Sequence, residues 1–175
     1  MEQLQKTAEP MRRERVILVG LHSPRLKREE NADDWSMEEL AALTDTAGGC
    51  VAACALQNKD APDPRTFISE GKVAEIKELV ASERADMVIF DNDLSPSQMR
   101  VLTELLGVQV LDRCGLILDI FAQRARTREG RLQVELAQYK YLLPRLTGMW
   151  KHLTRQNAAG GKSPIGTRGP GETQL

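Results

Sequence analysis

Four short apolar runs, each separated from the next by a stretch with helical periodicity, constrain this chain more than any other feature. They are Val16-Ile17-Leu18-Val19, residues 50–56, residues 87–90 and residues 108–111. Apart from Gln109 in the last, each is continuously apolar rather than alternating, the pattern of a strand buried on both faces. Helix signals lie between them. Ser36, with Glu39 three residues on, predicts an N-cap and capping box ahead of Leu40 and Leu43, and Gly48-Gly49 predicts the end of that helix. Ser69 opens a second helix, whose Val73, Ile76, Leu79 and Val80 share one face. Ser95-Pro96 opens a third, with Leu102, Leu105 and Leu106 on its apolar face and Gly107 at its end. Strands and helices alternating in units of about thirty residues or less predict an α/β fold. The expectation is a small parallel sheet of about four strands with crossover helices, covering residues 10–112.

After Asp112 the pattern changes. Leu118, Phe121, Ala122 and Ala125 begin a helical stripe, which resumes as Leu132, Leu136, Tyr139, Leu143, Leu146, Trp150 and Leu153. Steps alternating between four and three make this a heptad seam, and such a seam requires a partner helix. Residues 113–175 are therefore expected to form a second unit. It would hold a long amphipathic helix, one limb of a helical hairpin, and a basic glycine-rich loop. The same seam is a face through which two copies could dimerise. Pro144 removes a backbone donor, so a kink or break is expected between Lys140 and Pro144.

Charge divides the chain at the same place. Residues 1–112 carry 13 Lys and Arg against 21 Asp and Glu, a net of −8, whereas residues 113–175 carry 11 against 4, a net of +7. This asymmetry points to a polyanionic partner for the basic half, with a merely solvated basic helix as the other reading. Aromatic residues make up 4% of the chain, too few for a base-stacking platform of the single-strand binding kind.

Enzymatic signatures are weak. Gly161-Lys162-Ser163 looks like the end of a phosphate-binding loop, but Gln156 stands where that loop needs its first glycine, and the preceding residues read as helix. No Gly-x-Gly-x-x-Gly follows the first strand. A small-ligand pocket near Gly20, Asp91 and Asp112 is open to consideration, with both aspartates equally explained as cap and turn residues. His22 and His152 stand far apart, and Cys50, Cys54 and Cys114 form no zinc or disulfide pattern. The cysteines are expected to be small buried thiols in a reducing cytosol. The first fifteen residues lack the apolar run of a secretion signal, and no apolar stretch approaches the roughly eighteen residues of a membrane span.

The strongest remaining signal is Lys151-His152-Leu153-Thr154-Arg155 running into the glycine-rich stretch 160–171. Glycines let a backbone approach a phosphate chain closely. Lys151, Arg155, Lys162 and Arg168 would supply sequence-independent phosphate contacts, with His152, Gly166, Thr167 and Gly169 completing the candidate RNA-binding set. The bland alternative is a solvated loop at a hairpin tip. No catalytic or metal-ligating residue is assigned.

Several stretches resemble one family. Residues 113–125 (RCGLILDIFAQRA), 130–138 (GRLQVELAQ) and 141–146 (YLLPRL) are similar to the HflX-type ribosome-associated GTPases. So, most specifically, is the terminal run Ile165-Gly166-Thr167-Arg168-Gly169-Pro170-Gly171-Glu172-Thr173-Gln174-Leu175. The loop 157–164 is longer than the family's usual glycine run. The resemblance implies a longer parent with an N-terminal α/β subdomain, a helical hairpin and a G domain that follows and contacts them. GTP and Mg²⁺ would belong to that G domain, and this chain by itself would be non-catalytic. The implied partner is the large (50S) ribosomal subunit, with the hairpin tip against ribosomal RNA near the peptidyl-transferase region. The implied roles are splitting or rescue of stalled ribosomes and ribosome assembly, in the cytoplasm. Two other functions stay open: an α/β domain with its own ATPase activity, and a non-catalytic docking arm that regulates the G domain.

Overall fold

A computed structural model of the chain describes residues 13–145. Its first strand, β1 (Arg15–His22), is followed by α1 (Asp34–Thr46), β2 (Cys50–Asn58), α2 (Glu70–Glu83), β3 (Met87–Phe90), α3 (Pro96–Leu106) and β4 (Gln109–Asp112). Two further helices, α4 (Arg113–Arg124) and α5 (Arg128–Leu142), complete the order, with a 3-10 turn at Leu143–Arg145. The strands pair in the order β2-β1-β3-β4, and every pairing is parallel.

The apolar runs of the two central strands, β1 and β3, are explained by burial on both faces, whereas that of β2 lies at the sheet edge and is only partly covered. Ile17, Val19, Leu21, Val88 and Phe90 pack with Val73, Ile76, Met99, Leu102 and Leu106 of α2 and α3. Val16, Leu18, Met87, Ile89 and Leu111 pack with Met37, Leu40, Leu116 and Ile120 of α1 and α4. Alternate residues of β1 thus feed opposite layers, as the two-residue period of a strand dictates. The result is a three-layer sandwich with the sheet in the middle.

Three local features differ from the sequence expectation. The N-cap of α1 is Asp33, whose carboxylate accepts from the Ser36 backbone at 2.7 Å. Ser36 is the third helical residue and returns the capping-box bond to the Asp33 backbone at 2.9 Å. The helical stripe after Asp112 is divided between two helices, because Ala125 is extended and the Thr127 hydroxyl caps α5 through the Gly130 amide at 3.0 Å. All three cysteines are free and exposed rather than buried, Cys50 and Cys54 lying on the edge strand β2. The break expected between Lys140 and Pro144 is present: α5 ends at Leu142 and tightens into the 3-10 turn.

Candidate nucleic-acid interface

The candidate interface begins with the helices that lead to it. Leu132, Leu136, Tyr139 and Leu143 lie on α5 and its terminal turn, and their relative exposures are 58%, 56%, 51% and 62%. The described half of the heptad seam is therefore bare. Phe121 on α4 is also exposed. The opposite face of α5 holds the buried Gln138 and the largely enclosed Tyr141.

Basic side chains around this arm fall into two groups. Arg124, Arg126, Arg128 and Arg131 are exposed at the break between α4 and α5, and Lys140 is exposed near the end of α5. Arg113 and Arg145 point inward instead. Arg113 bonds Asp91 at 2.9 Å and Glu39 at 2.5 Å. Burial works against its charge, but the hydrogen bonds it donates to Glu39 and Asp91 outweigh that and hold the guanidinium ionised. Arg145 reaches Asp112, whose side chain is fully buried. The +7 read from the sequence thus includes two cations consumed by internal pairing.

Asp112 is the centre of that pairing. One carboxylate oxygen caps α4 through the Gly115 amide at 2.9 Å and accepts from the Tyr141 hydroxyl at 2.7 Å. The other accepts from Arg145 at 3.3 Å and from the Leu94 amide at 3.4 Å. Burial, the Asp112 charge and the hydrogen bond to it together hold the Tyr141 phenol well above its usual pKa.

The C-terminal edge of the sheet is filled from within. In an open α/β sheet a ligand is expected where the strand order reverses, here between β1 and β3. Asn92 occupies that position, accepting from the Leu21 amide at 2.8 Å and donating to the Leu21 and Glu30 carbonyls at 3.0 and 2.7 Å. Asp91 accepts from Ser36 at 2.6 Å as well as from Arg113. At Gly20 a Cβ would stand 2.6 Å from that of Ala32 and 2.8 Å from the Met37 sulfur. The residues weighed as a pocket (Gly20, Asp91 and Asp112) are each engaged in packing, capping or ion pairing. Among the described residues, no cluster of His, Cys, Asp and Glu could hold a metal ion, and no helix is long and apolar enough to cross a membrane.

All eight candidate RNA-binding residues, Lys151, His152, Arg155, Lys162, Gly166, Thr167, Arg168 and Gly169, lie outside the described residues. The four exposed arginines at the α4–α5 break form a basic group that the sequence expectation does not include. Their signal was available as four arginines within eight residues, interrupted by Glu129 alone among the acids.

Comparison with known proteins agrees with this architecture. Residues 34–122 match the GTP-binding GTPase N-terminal family model, and residues 124–175 match that of the GTP-binding GTPase middle region. GTPase HflX of Alkalihalophilus pseudofirmus is 50% identical over 162 residues, 93% of this chain and 36% of the relative. GTPase HflX of Escherichia coli is 46% identical with the same two shares. A crystal structure of a GTP-binding protein from the archaeon Sulfolobus solfataricus in complex with GDP superposes with a TM-score of 0.57 at 27% identity, covering 81% of this chain and 42% of that one. The chain spans 36% of the length of these two HflX relatives. Both family models, the HflX relatives and the shared fold place the chain in the HflX-type GTP-binding GTPases, to whose N-terminal and middle regions it corresponds.

Proposed function

We propose that this chain is the ribosome-facing part of an HflX-type GTPase, binding RNA of the large subunit through its basic, glycine-rich end. The observation that carries the reading is the arm itself. Helix α5 stands with its apolar seam bare and arginines at its base, and it leads directly into the segment that holds Lys151, His152, Arg155, Lys162, Gly166, Thr167, Arg168 and Gly169. A bare seam of this kind is completed by a second helix. We assign that role to the chain that follows in the longer protein, and we take residues 10–112 and 113–175 as the two units, with α4 at the start of the second packed on the sheet of the first. We assign GTP and Mg²⁺ to the G domain of that protein; at the strand switch of this chain the Asn92 side chain is bonded to the Leu21 backbone. Splitting or rescue of stalled ribosomes, or subunit assembly, in the cytoplasm is the activity this arrangement would serve.

The test is the salt dependence of large-subunit binding. Replacing Arg155 and Arg168 together with alanine should weaken binding and flatten the plot of log affinity against log salt by about one to two units of slope. An unchanged slope and affinity would remove the basic end from the interface. Calorimetry with ATP and with GTP on the 175-residue chain should show no tight site; micromolar binding of either would favour an enzymatic α/β domain instead.

A further inference from the structure

The contact that joins α5 to the sheet is polar, buried and specific in a way that the apolar packing around it is not. Asp112 has no exposed surface, yet its carboxylate is fully engaged from two directions: the backbone of its own layer (Gly115 and Leu94) and the side chains of the arm (Tyr141 and Arg145). Arg145 stacks over the Tyr141 ring at 3.8 Å, donates to the Tyr141 carbonyl at 2.8 Å and reaches the Leu94 carbonyl at 3.1 Å. Gly115 provides the space: a Cβ there would stand 2.6 Å from the Tyr141 hydroxyl. Apolar surfaces tolerate sliding, whereas a buried carboxylate shared by two directional donors favours one geometry. These contacts hold the end of α5 to the sheet, and the chain leaves that point at Arg145 toward the basic segment.

We propose that Asp112, Tyr141, Arg145 and the Gly115 notch form a latch that sets the direction in which the arm leaves the α/β layer, making Tyr141 and Arg145 positioning residues for the RNA-binding end. The consequence for binding rests on the function proposed above; the latch itself does not. With the latch open, the arm samples several directions and only a fraction of molecules present the basic end correctly. Apparent affinity then falls by that fraction while the number of phosphate contacts is unchanged.

Two measurements test this. Spin labels at Glu104→Cys and Lys140→Cys, with Cys50, Cys54 and Cys114 changed to serine, report the position of the arm in the full chain. The parent background should give one narrow distance distribution, and both Tyr141→Phe and Gly115→Ala should broaden it. Unchanged distributions in both variants would overturn the latch. In the longer protein that carries the G domain, Tyr141→Phe should weaken large-subunit binding by roughly 3- to 10-fold with the salt slope unaltered. Broadened distances with unchanged affinity, or an altered slope, would overturn the positioning role. Failure of the reading of the basic end shows up separately, as an Arg155/Arg168 variant whose salt slope does not move.

Discussion

Tyr141 donates its phenolic hydrogen to Asp112 at 2.7 Å, joining the last turn of α5 to the last residue of β4 across 29 positions of sequence. Tyr141→Phe keeps the ring and its stack with Arg145 while leaving Asp112 one donor short. The expected destabilisation is about 1.5–3 kcal/mol, the range for a hydrogen bond to a charged group. Asp112→Ala should cost more, about 3–5 kcal/mol, because it leaves Arg145 without its carboxylate and α4 without its cap. Urea unfolding monitored by circular dichroism separates the two, and equal losses would contradict the hub role of Asp112.

The same phenol predicts a pH dependence. Its folded pKa lies above the unfolded value of about 10, so at high pH the unfolded chain releases a proton that the folded chain retains. This stabilising contribution is fully present below pH ~10 and is lost as pH rises above it. Unfolding free energy should therefore fall by up to about 1.4 kcal/mol per pH unit above that point, and Tyr141→Phe should remove that part of the slope. A titration of stability between pH 8 and 11 decides it, and identical alkaline slopes in the two proteins would count against the assignment.

Gly20 is required by packing rather than by backbone conformation. A methyl group there would press on Ala32 in the loop before α1, Met37 of α1 and Leu56 of β2. Gly20→Ala is expected to destabilise by about 1–3 kcal/mol, the usual range for overpacking a well-filled interior. A midpoint in urea equal to that of the parent would show that α1 can retreat at no cost.

What was legible in the sequence and what was not follow from the range of the interactions involved. β3 could be read as residues 87–90 and the caps Ser69 and Ser95 could be identified, because an apolar run and an i to i+3 hydroxyl bond are local. The start of α1 could not be decided locally, since Asp33 and Ser36 are both competent caps. The choice is made partly by Asp91, 55 residues on, which takes the Ser36 hydroxyl. Arg113 and Arg145 read as surface charge, and only tertiary contacts with Asp91, Glu39 and Asp112 turn them inward. The arm's apolar seam was visible as a period, but that it is bare depends on which segment lies beside it.

Arg84 closes α2 in a left-handed conformation, with φ of 50°. A side chain in that region is strained and glycine is not, so Arg84→Gly should be neutral or stabilising by up to about 1 kcal/mol despite the greater freedom it gives the unfolded chain. Thermal unfolding checks the sign. A clear loss of stability would mean that the Arg84 side chain makes a contribution larger than its backbone strain.

The bare seam makes the last prediction, and it separates two fates for one surface. In the 175-residue chain, Leu132 and Leu136 are more than half exposed, so changing both to serine should alter its stability by no more than about 0.5 kcal/mol. If the seam instead pairs two copies, sedimentation of the parent chain should show concentration-dependent association that the double serine variant lacks. In the longer protein the outcome should differ. There a second helix is expected to cover these leucines, and the same pair of substitutions should cost several kcal/mol, about 2–5 for each buried leucine truncated. A longer protein as indifferent to the change as the short chain would show that the seam stays open to solvent, and the hairpin reading of this arm would fall with it.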